Sequence, residues 1–247
     1  MFELTGKTAL VTGAGRNIGA GIARLLAQQG AAVAVNDLDE DRSRETGDAI
    51  QSAGGTAVAA PFDVTSLEAV ADGIARAQAA LGPIDILVNN AGVPASMNLV
   101  KFRDTTPEAW EPYIALNLYG VLYCTRTVID GMCERGHGRV ITISSAAGAI
   151  GFDLGVSLYA AGKGGAISFM RHLALEVARS GVTANSLALG LVIPELDATT
   201  ESLAKQVPVG RVGTPEDIGA LVVYLASDEA EWITGQTIHI NGGVVTT

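Results

Sequence analysis

The stretch LVTGAGRNIGAGIA, residues 10–23, decides the fold. An apolar β-rich run passes into a turn carrying Gly13, Gly15 and Gly19, and then into residues at helical spacing. Glycines in such a turn let the backbone bend tightly and bring a helix N-terminus, with its free N–H groups and positive dipole end, up to a pyrophosphate. In a chain with 30 glycines, three clustered ones equally make a plain structural turn. Asn17 stands where glycine is common in such turns, and asparagine is among the residues that best tolerate positive φ, so the turn survives it.

Working outward, short β-rich runs alternate with longer helix-like stretches: TALVT (8–12), AVAVN (32–36), TAVAAPF (56–62), IDILVN (84–89), RVITIS (139–144), TANSLAL (183–189) and QTIHIN (236–241). Strands spaced in this way imply a parallel sheet with helices on both faces. Right-handed crossovers then give an α/β, doubly wound, Rossmann-type sheet of about seven strands. The stretch from residue 107, PEAWEPYIALNLYGVLYCTRTVIDGM, reads as one helix long enough to cross it. Without a Pro/Ser-rich linker, repeat or low-complexity tract, residues 1–247 read as a single domain that joins dinucleotide binding to catalysis. In this architecture ligands bind beyond the carboxyl ends of the strands.

A formal charge of −10, from 26 acidic against 16 basic residues, disfavours nucleic acid as a partner. Apolar runs such as ALVVYLA (220–226) fall short of the roughly 18 residues that cross a bilayer, and the start lacks a signal-peptide pattern, so a soluble cytoplasmic protein is expected. Cys124 and Cys133 lie too far apart along one helix to pair, and the three histidines show no metal-ligand spacing. No metal is expected.

Asp37 ends the second strand, about 20 residues beyond the glycine turn, where a carboxylate can accept from an adenosine ribose and repel a 2′-phosphate. The surrounding DLDEDR is acidic throughout, so a helix cap or a solvated turn is the competing assignment. LYAAGK places Tyr159 and Lys163 four residues apart on one helix face, where an ammonium can lower the phenol pKa.

TGAGRNIG, NNAG (89–92), Asn117 in IALNLYG, SSAAG (144–148) and YAAGK (159–163) resemble, in order, the motifs of the single-domain short-chain dehydrogenase/reductases. The resemblance spans nearly the whole chain and continues through residues 210–243. It implies an oxidoreductase that interconverts a ketone and a secondary alcohol, with Tyr159 as the general acid or base and Lys163 binding the nicotinamide ribose. Ser145, rather than its neighbour Ser144, would hold the substrate oxygen, and Asn117 a water in the proton relay. Gly13, Gly15, Arg16, Asn17, Ile18 and Gly19 would line the cofactor turn. Asp63 with Val64 would meet the adenine. Asn89, Ala91 and Gly92 would pass the cofactor with little bulk, at least one of Asn89 and Asn90 being mainly structural, and Gly190 and Val192 would lie by the nicotinamide.

The chain departs from the family pattern after the sixth strand, where LGLVIP (189–194) puts Leu189 and Pro194 in place of the usual proline and a carboxamide-binding threonine. A proline has neither hydroxyl nor N–H, which leaves carboxamide anchoring to other contacts such as the Val192 backbone. The expected cofactor is NAD, from Asp37, with NADP the other possibility because Arg16 stands where relatives often carry a base for the 2′-phosphate. Two other functions compete: a 3-oxoacyl-carrier-protein reductase, for which Arg135, Arg139 and Arg179 would be the basic entrance, and a dinucleotide-sensing binding protein. The pocket segments 93–106 and 191–207 carry Val93, Met97, Leu99, Leu191, Ile193 and Leu196, which suit an apolar substrate body. A homotetramer is expected from the resemblance and from the apolar stripes of helices 107–133 and 157–178.

Overall fold

Peptide groups buried on both faces of a parallel sheet need side chains that are apolar above and below it, and the strands of this chain supply them. The structure, a computed structural model, describes residues 1–94, 97–193 and 202–246. Among these, seven strands form one sheet: β1 (Thr8–Val11), β2 (Ala32–Val35), β3 (Thr56–Ala59), β4 (Ile86–Asn89), β5 (Gly138–Ser145), β6 (Val182–Leu189) and β7 (Thr237–Ile240). Their order is β3-β2-β1-β4-β5-β6-β7, parallel at every pairing. The order reverses between β1 and β4, and their carboxyl ends open there into a crevice.

Residues alternate strictly across the sheet. Ala9, Val11, Val33, Val35, Ile86, Val88, Ile141 and Ile143 face a core completed by α1 (Asn17–Gln28) and by α8 (Pro215–Ala226) through Ile22, Leu26, Ile218 and Val222. Leu10, Ala34, Leu87, Val140 and Ala184 face the opposite core, with α3 (Leu67–Leu81), α5 (Gly120–Arg135) and, after the single turn α6 (Ala146–Ala149), α7 (Ser157–Val177). The helix starts are set by side chains: Asp39 caps α2 (Glu40–Ser52), Ser66 caps α3, and Thr214 with Asp217 forms a capping box on α8. No helix among the described residues is long and apolar enough to cross a membrane.

Two elements differ from the sequence expectation. Strand β3 stops at Ala59 rather than 62, because the Asn36 amide donates to the carbonyls of Ala60 and Phe62, both at 3.0 Å, and takes those groups out of the ladder. The helix read from residue 107 is broken: a 3₁₀ turn (Pro107–Ala109), a short α4 (Glu111–Ile114), a π turn (Ala115–Tyr119) and only then α5. Pro112 has no N–H to give, and the π turn carries Asn117 at its centre.

Candidate active site

The turn after β1 is built by two left-handed residues, Gly13 at φ +59° and Asn17 at φ +51°. A Cβ on Gly19 would strike the Gly13 carbonyl and the Asn90 amide, and one on Gly13 would press on Ala91. These two glycines bring α1, its own turn and the end of β4 together. Gly15 acts differently from expectation: it does not line the cavity, and its N–H donates to Asp37 Oδ2 at 3.1 Å. Its missing Cβ leaves room for the Asp37 carboxylate and the Arg42 side chain. Asp37 is buried, and its second oxygen accepts from Asp39 N at 3.1 Å. The cap of α2 is Asp39, so Asp37 is free of that duty.

A cavity of about 560 Å³ runs from this end to Tyr159 and Val192. It is lined by Gly13, Arg16, Asn17, Ile18, Gly19, Asp37, Asp63, Val64, Ala91, Gly92, Ser145, Tyr159, Lys163, Gly190 and Val192, so most of the expected residues meet in one space. Asn89 does not join them. It is buried beneath the crevice, with its amide donating to Thr125 at 3.2 Å and Thr142 at 3.5 Å, which makes it a tie between β4, α5 and β5. Asn90 lines the cavity, and its amide donates to the carbonyls of Thr12 and Gly13 at 2.8 and 3.0 Å. Asn36, Leu38 and Arg42 also line the adenosine end and were not read from the sequence. Arg42 lies three residues past the Asp39 cap and pairs with it at 3.3 Å, a spacing that could have located it.

At the other end, Tyr159 and Ser145 line the cavity together, and the Ser145 hydroxyl also accepts from Ala147 N at 3.2 Å. Burial raises the phenol pKa above its ordinary value, and the neighbouring Ser145 side chain offsets part of that rise. The expected lowering by Lys163 is not what the geometry gives. Burial depresses Lys163 itself to about 8, its ammonium donates to the Ile143 carbonyl at 2.7 Å, and it stands 5.9 Å from the Tyr159 ring centre. Ser144 is occupied elsewhere, donating to the Lys163 carbonyl at 3.2 Å, which leaves Ser145 to face the tyrosine.

Gly92, Lys163 and Asn117 converge. A Cβ on Gly92 would collide with Lys163 Nζ and lie 2.9 Å from Asn117 Oδ1. The π turn buries Asn117 completely; its Nδ2 donates to the Tyr113 carbonyl at 3.0 Å, while Oδ1 has no hydrogen-bond partner. A buried amide oxygen left in this way beside an ammonium suits a bridging water.

The residues fit a dinucleotide. The N-cap of α1, Arg16, is extended and makes no side-chain cap, and the first turn carries no acidic residue, so the helix start keeps its N–H groups for an anion. Beyond β6, Val192 bridges to Gly213, which bonds to the flanking Leu191 carbonyl and Ile193 N–H and turns the peptide groups of Val192 away from itself. Pro194 and Leu196 lie outside the described residues. Of the apolar residues expected to form the pocket, Val93 lines the cavity, whereas Leu99 and Leu191 are exposed outside it.

A family model described as enoyl-(acyl carrier protein) reductase matches residues 13–245. The chain belongs to the short-chain dehydrogenase/reductase family. It is 42% identical over 244 residues to an acetoacetyl-CoA reductase of Rhizobium meliloti, covering 96% of this chain and 98% of the relative. It is 39% identical over 248 residues to the 3-oxoacyl-(acyl-carrier-protein) reductase FabG of Escherichia coli, covering 98% and 99%. Among solved structures, a gluconate 5-dehydrogenase from Burkholderia cenocepacia in complex with NADP and tartrate superposes with a TM-score of 0.90 at 34% identity, covering 98% of this chain and 96% of that one. As a short-chain dehydrogenase/reductase the chain is an NAD(P)(H)-dependent oxidoreductase that interconverts a ketone and a secondary alcohol. Arg135, Arg139 and Arg179 do not surround the entrance within this chain. Arg135 and Arg139 flank the amino end of β5, Arg179 precedes that of β6, and Arg139 is buried on the carbonyls of Ser227 and Gly138.

Proposed function

We propose that the chain is a ketoreductase that reduces a 3-oxo group to a secondary alcohol and uses NAD(H) in preference to NADP(H). The observation that carries this is the meeting of Tyr159, Ser145 and Lys163 at one end of a cavity whose other end is the uncapped start of α1. The cavity would hold a nicotinamide dinucleotide, whose chemistry would be to supply the hydride that the carbonyl carbon takes up. The chain does the rest. Ser145 holds the substrate oxygen, and Tyr159 gives its phenolic proton to that oxygen as the carbonyl π pair moves onto it. Lys163 would bind the nicotinamide ribose. Asn117 holds the water through which the phenolate regains a proton.

Gly13, Asn17, Ile18 and Gly19 would hold the pyrophosphate, Asp63 and Val64 would meet the adenine, and Gly190 and the Val192 backbone would meet the nicotinamide. Asp37 supports the NAD(H) preference. Two backbone N–H groups fix its buried carboxylate, and a 2′-phosphate would bring nearly two further negative charges against it. Arg16 and Arg42 pull the other way, but both reach water and Arg42 already pairs with Asp39. At an effective dielectric near 20 the like-charge contact is worth on the order of several kcal/mol, which is more than a tenfold preference.

The similarity to acetoacetyl-CoA and 3-oxoacyl-(acyl-carrier-protein) reductases favours a 3-oxoacyl thioester as the form of the ketone. A homotetramer is part of the proposal, supported by apolar side chains left outward on Tyr119, Leu175 and Trp232, the last 96% exposed. A stable monomer in light scattering at micromolar concentration contradicts it. The test of activity is nicotinamide absorbance with 3-oxoacyl thioesters and simple ketones, run with both cofactors. NADH should give the higher kcat/KM, and Asp37→Ala should narrow the gap. Preference for NADPH in the unaltered protein refutes the Asp37 assignment, and binding without turnover across the panel revives a dinucleotide sensor.

A further inference from the structure

A second cavity, of about 390 Å³, lies against Tyr159 on the side of α4. Its volume falls within the roughly 300–1,000 Å³ of small-molecule sites. Tyr159 lines both this space and the dinucleotide cavity, so one ring separates them. A third cavity nearby, which holds Lys101 and Asp153, does not reach Tyr159.

The chemistry of the second cavity is one-sided. Met97, Val100, Ala109, Pro112, Val156 and Leu158 give it an apolar wall. Its polar groups are engaged with the protein: Thr105 Oγ1 donates to the Phe102 carbonyl at 2.8 Å and accepts from Trp110 Nε1 at 3.0 Å. Thr106 bonds Glu108, and the Tyr113 hydroxyl accepts from Asn98 N at 3.2 Å. The one charged residue among the described lining is Asp104, and no lysine or arginine is there to receive an anion. The walls are also tied together. Val100 N donates to the Gly155 carbonyl at 2.9 Å, and Gly155, at φ +66°, has no side chain to force the two segments apart.

We propose that this cavity takes the non-reacting hydrocarbon arm of the ketone, neutral and unbranched or cyclic, and that it excludes arms ending in carboxylate or phosphate. The proposal rests on the ketoreductase assignment for its substrate and on this cavity for its selectivity. An arm seated there reaches the reacting carbonyl past the edge of Tyr159, whose ring is common to both spaces. Each methylene that leaves water for the apolar wall should raise kcat/KM about three- to fourfold, until the cavity is filled. Acids of the same length should gain nothing, because Asp104 faces them and no cation does.

The test uses Ala109→Phe, which projects bulk into the cavity from an exposed 3₁₀ turn and leaves the cofactor cavity untouched. Neutral 3-oxoacyl N-acetylcysteamine thioesters of four to ten acyl carbons serve as substrates. The expected result is a rise of kcat/KM with chain length in the unaltered protein, and a loss of at least tenfold for the longest substrate in Ala109→Phe with less than a twofold change for the shortest. A binding readout stands apart from turnover. With Trp232→Phe as background, Trp110 is the one remaining tryptophan; it is bonded to the lining residue Thr105. 2-Decanone should change its emission, 2-butanone should not, and Ala109→Phe should abolish the response. Equal effects on all chain lengths, or an unchanged 2-decanone response in Ala109→Phe, overturn the proposal. Absence of turnover on every thioester with the Trp110 response intact leaves the apolar pocket standing and defeats the ketoreductase assignment instead.

Discussion

Helices α1 and α8 are both 12 residues long and pack against each other, yet they begin in opposite ways. α8 opens with Pro215 at its first position, a Thr214–Asp217 capping box and two acidic residues in the first turn, and Arg211 grips Asp217 at 2.6 and 2.8 Å. α1 opens on Arg16 with no side-chain cap and no acidic residue. A start that faces solvent is closed by its own side chains, as stability requires. The start that faces the cavity keeps its donors unspent, and the chain gives up about 1 kcal/mol of capping there to leave room for an anionic ligand. The far end of the same cavity repeats the pattern with a charge: Lys163 is buried without a carboxylate partner among the described residues, bonded to one backbone carbonyl.

The largest effect is therefore expected at Lys163. Lys163→Met should lower kcat by at least about 10²-fold and weaken dinucleotide binding, because the proposed ribose contact that positions the nicotinamide beside Tyr159 is lost. The same variant should be more stable than the parent by about 2 kcal/mol in urea titration. The folded-state pKa, about 8, lies below the ordinary 10.5, so the unfolded chain binds that proton more tightly between these values. Burial of the ammonium thus weakens the fold at neutral pH, and the loss disappears as the pH rises past 10.5. The charged form needed for catalysis exists below about 8, so kcat/KM of the free enzyme should fall above that pH, and Lys163→Met should erase that limb. A destabilised Lys163→Met protein with an unaltered pH profile contradicts this account of the site.

A smaller change sharpens the contrast between the two helices. Arg16→Asp gives α1 the cap that α8 already has, at a residue whose φ of −159° and ψ of 171° suit one. Stability should rise by about 0.5–1 kcal/mol while dinucleotide affinity falls at least about tenfold, read by nicotinamide fluorescence. Unchanged affinity means that the α1 start does not hold the phosphates. The smallest effect belongs to the closed helix: Thr214→Ala should cost about 1 kcal/mol of stability and leave the dinucleotide Kd where it was.

The sequence made the cofactor end legible because backbone constraints write themselves in glycine. Gly13, Gly19 and Gly92 sit where a Cβ meets another chain segment, and the tolerance of Asn17 for positive φ is realised at φ +51°. The strands were legible for the same kind of reason, since a fully buried parallel strand must be apolar on both faces. Gly15 and Asn89 were assigned to the cofactor because motif position does not say which way a group points: one seats Asp37 and the other bridges Thr125 and Thr142. The π turn at Asn117 was hidden because 3.6-residue periodicity does not register one extra residue in a helix. Arg42 was missed because its place depends on where α2 begins, which Asp39 rather than Asp37 decides. The lowering of the Tyr159 pKa by Lys163 was inferred from spacing alone, whereas burial of both groups governs their proton affinities.

The central claim is that Tyr159, beside Ser145, supplies the proton while the rest of the cavity holds the dinucleotide. The most direct measurement is kcat and cofactor Kd for Tyr159→Phe, a change that removes one oxygen and leaves the ring that parts the two cavities. The account predicts a fall in kcat of at least about 10²-fold with the dinucleotide Kd nearly unchanged. Near-normal turnover, or a loss of dinucleotide binding in step with kcat, would contradict it.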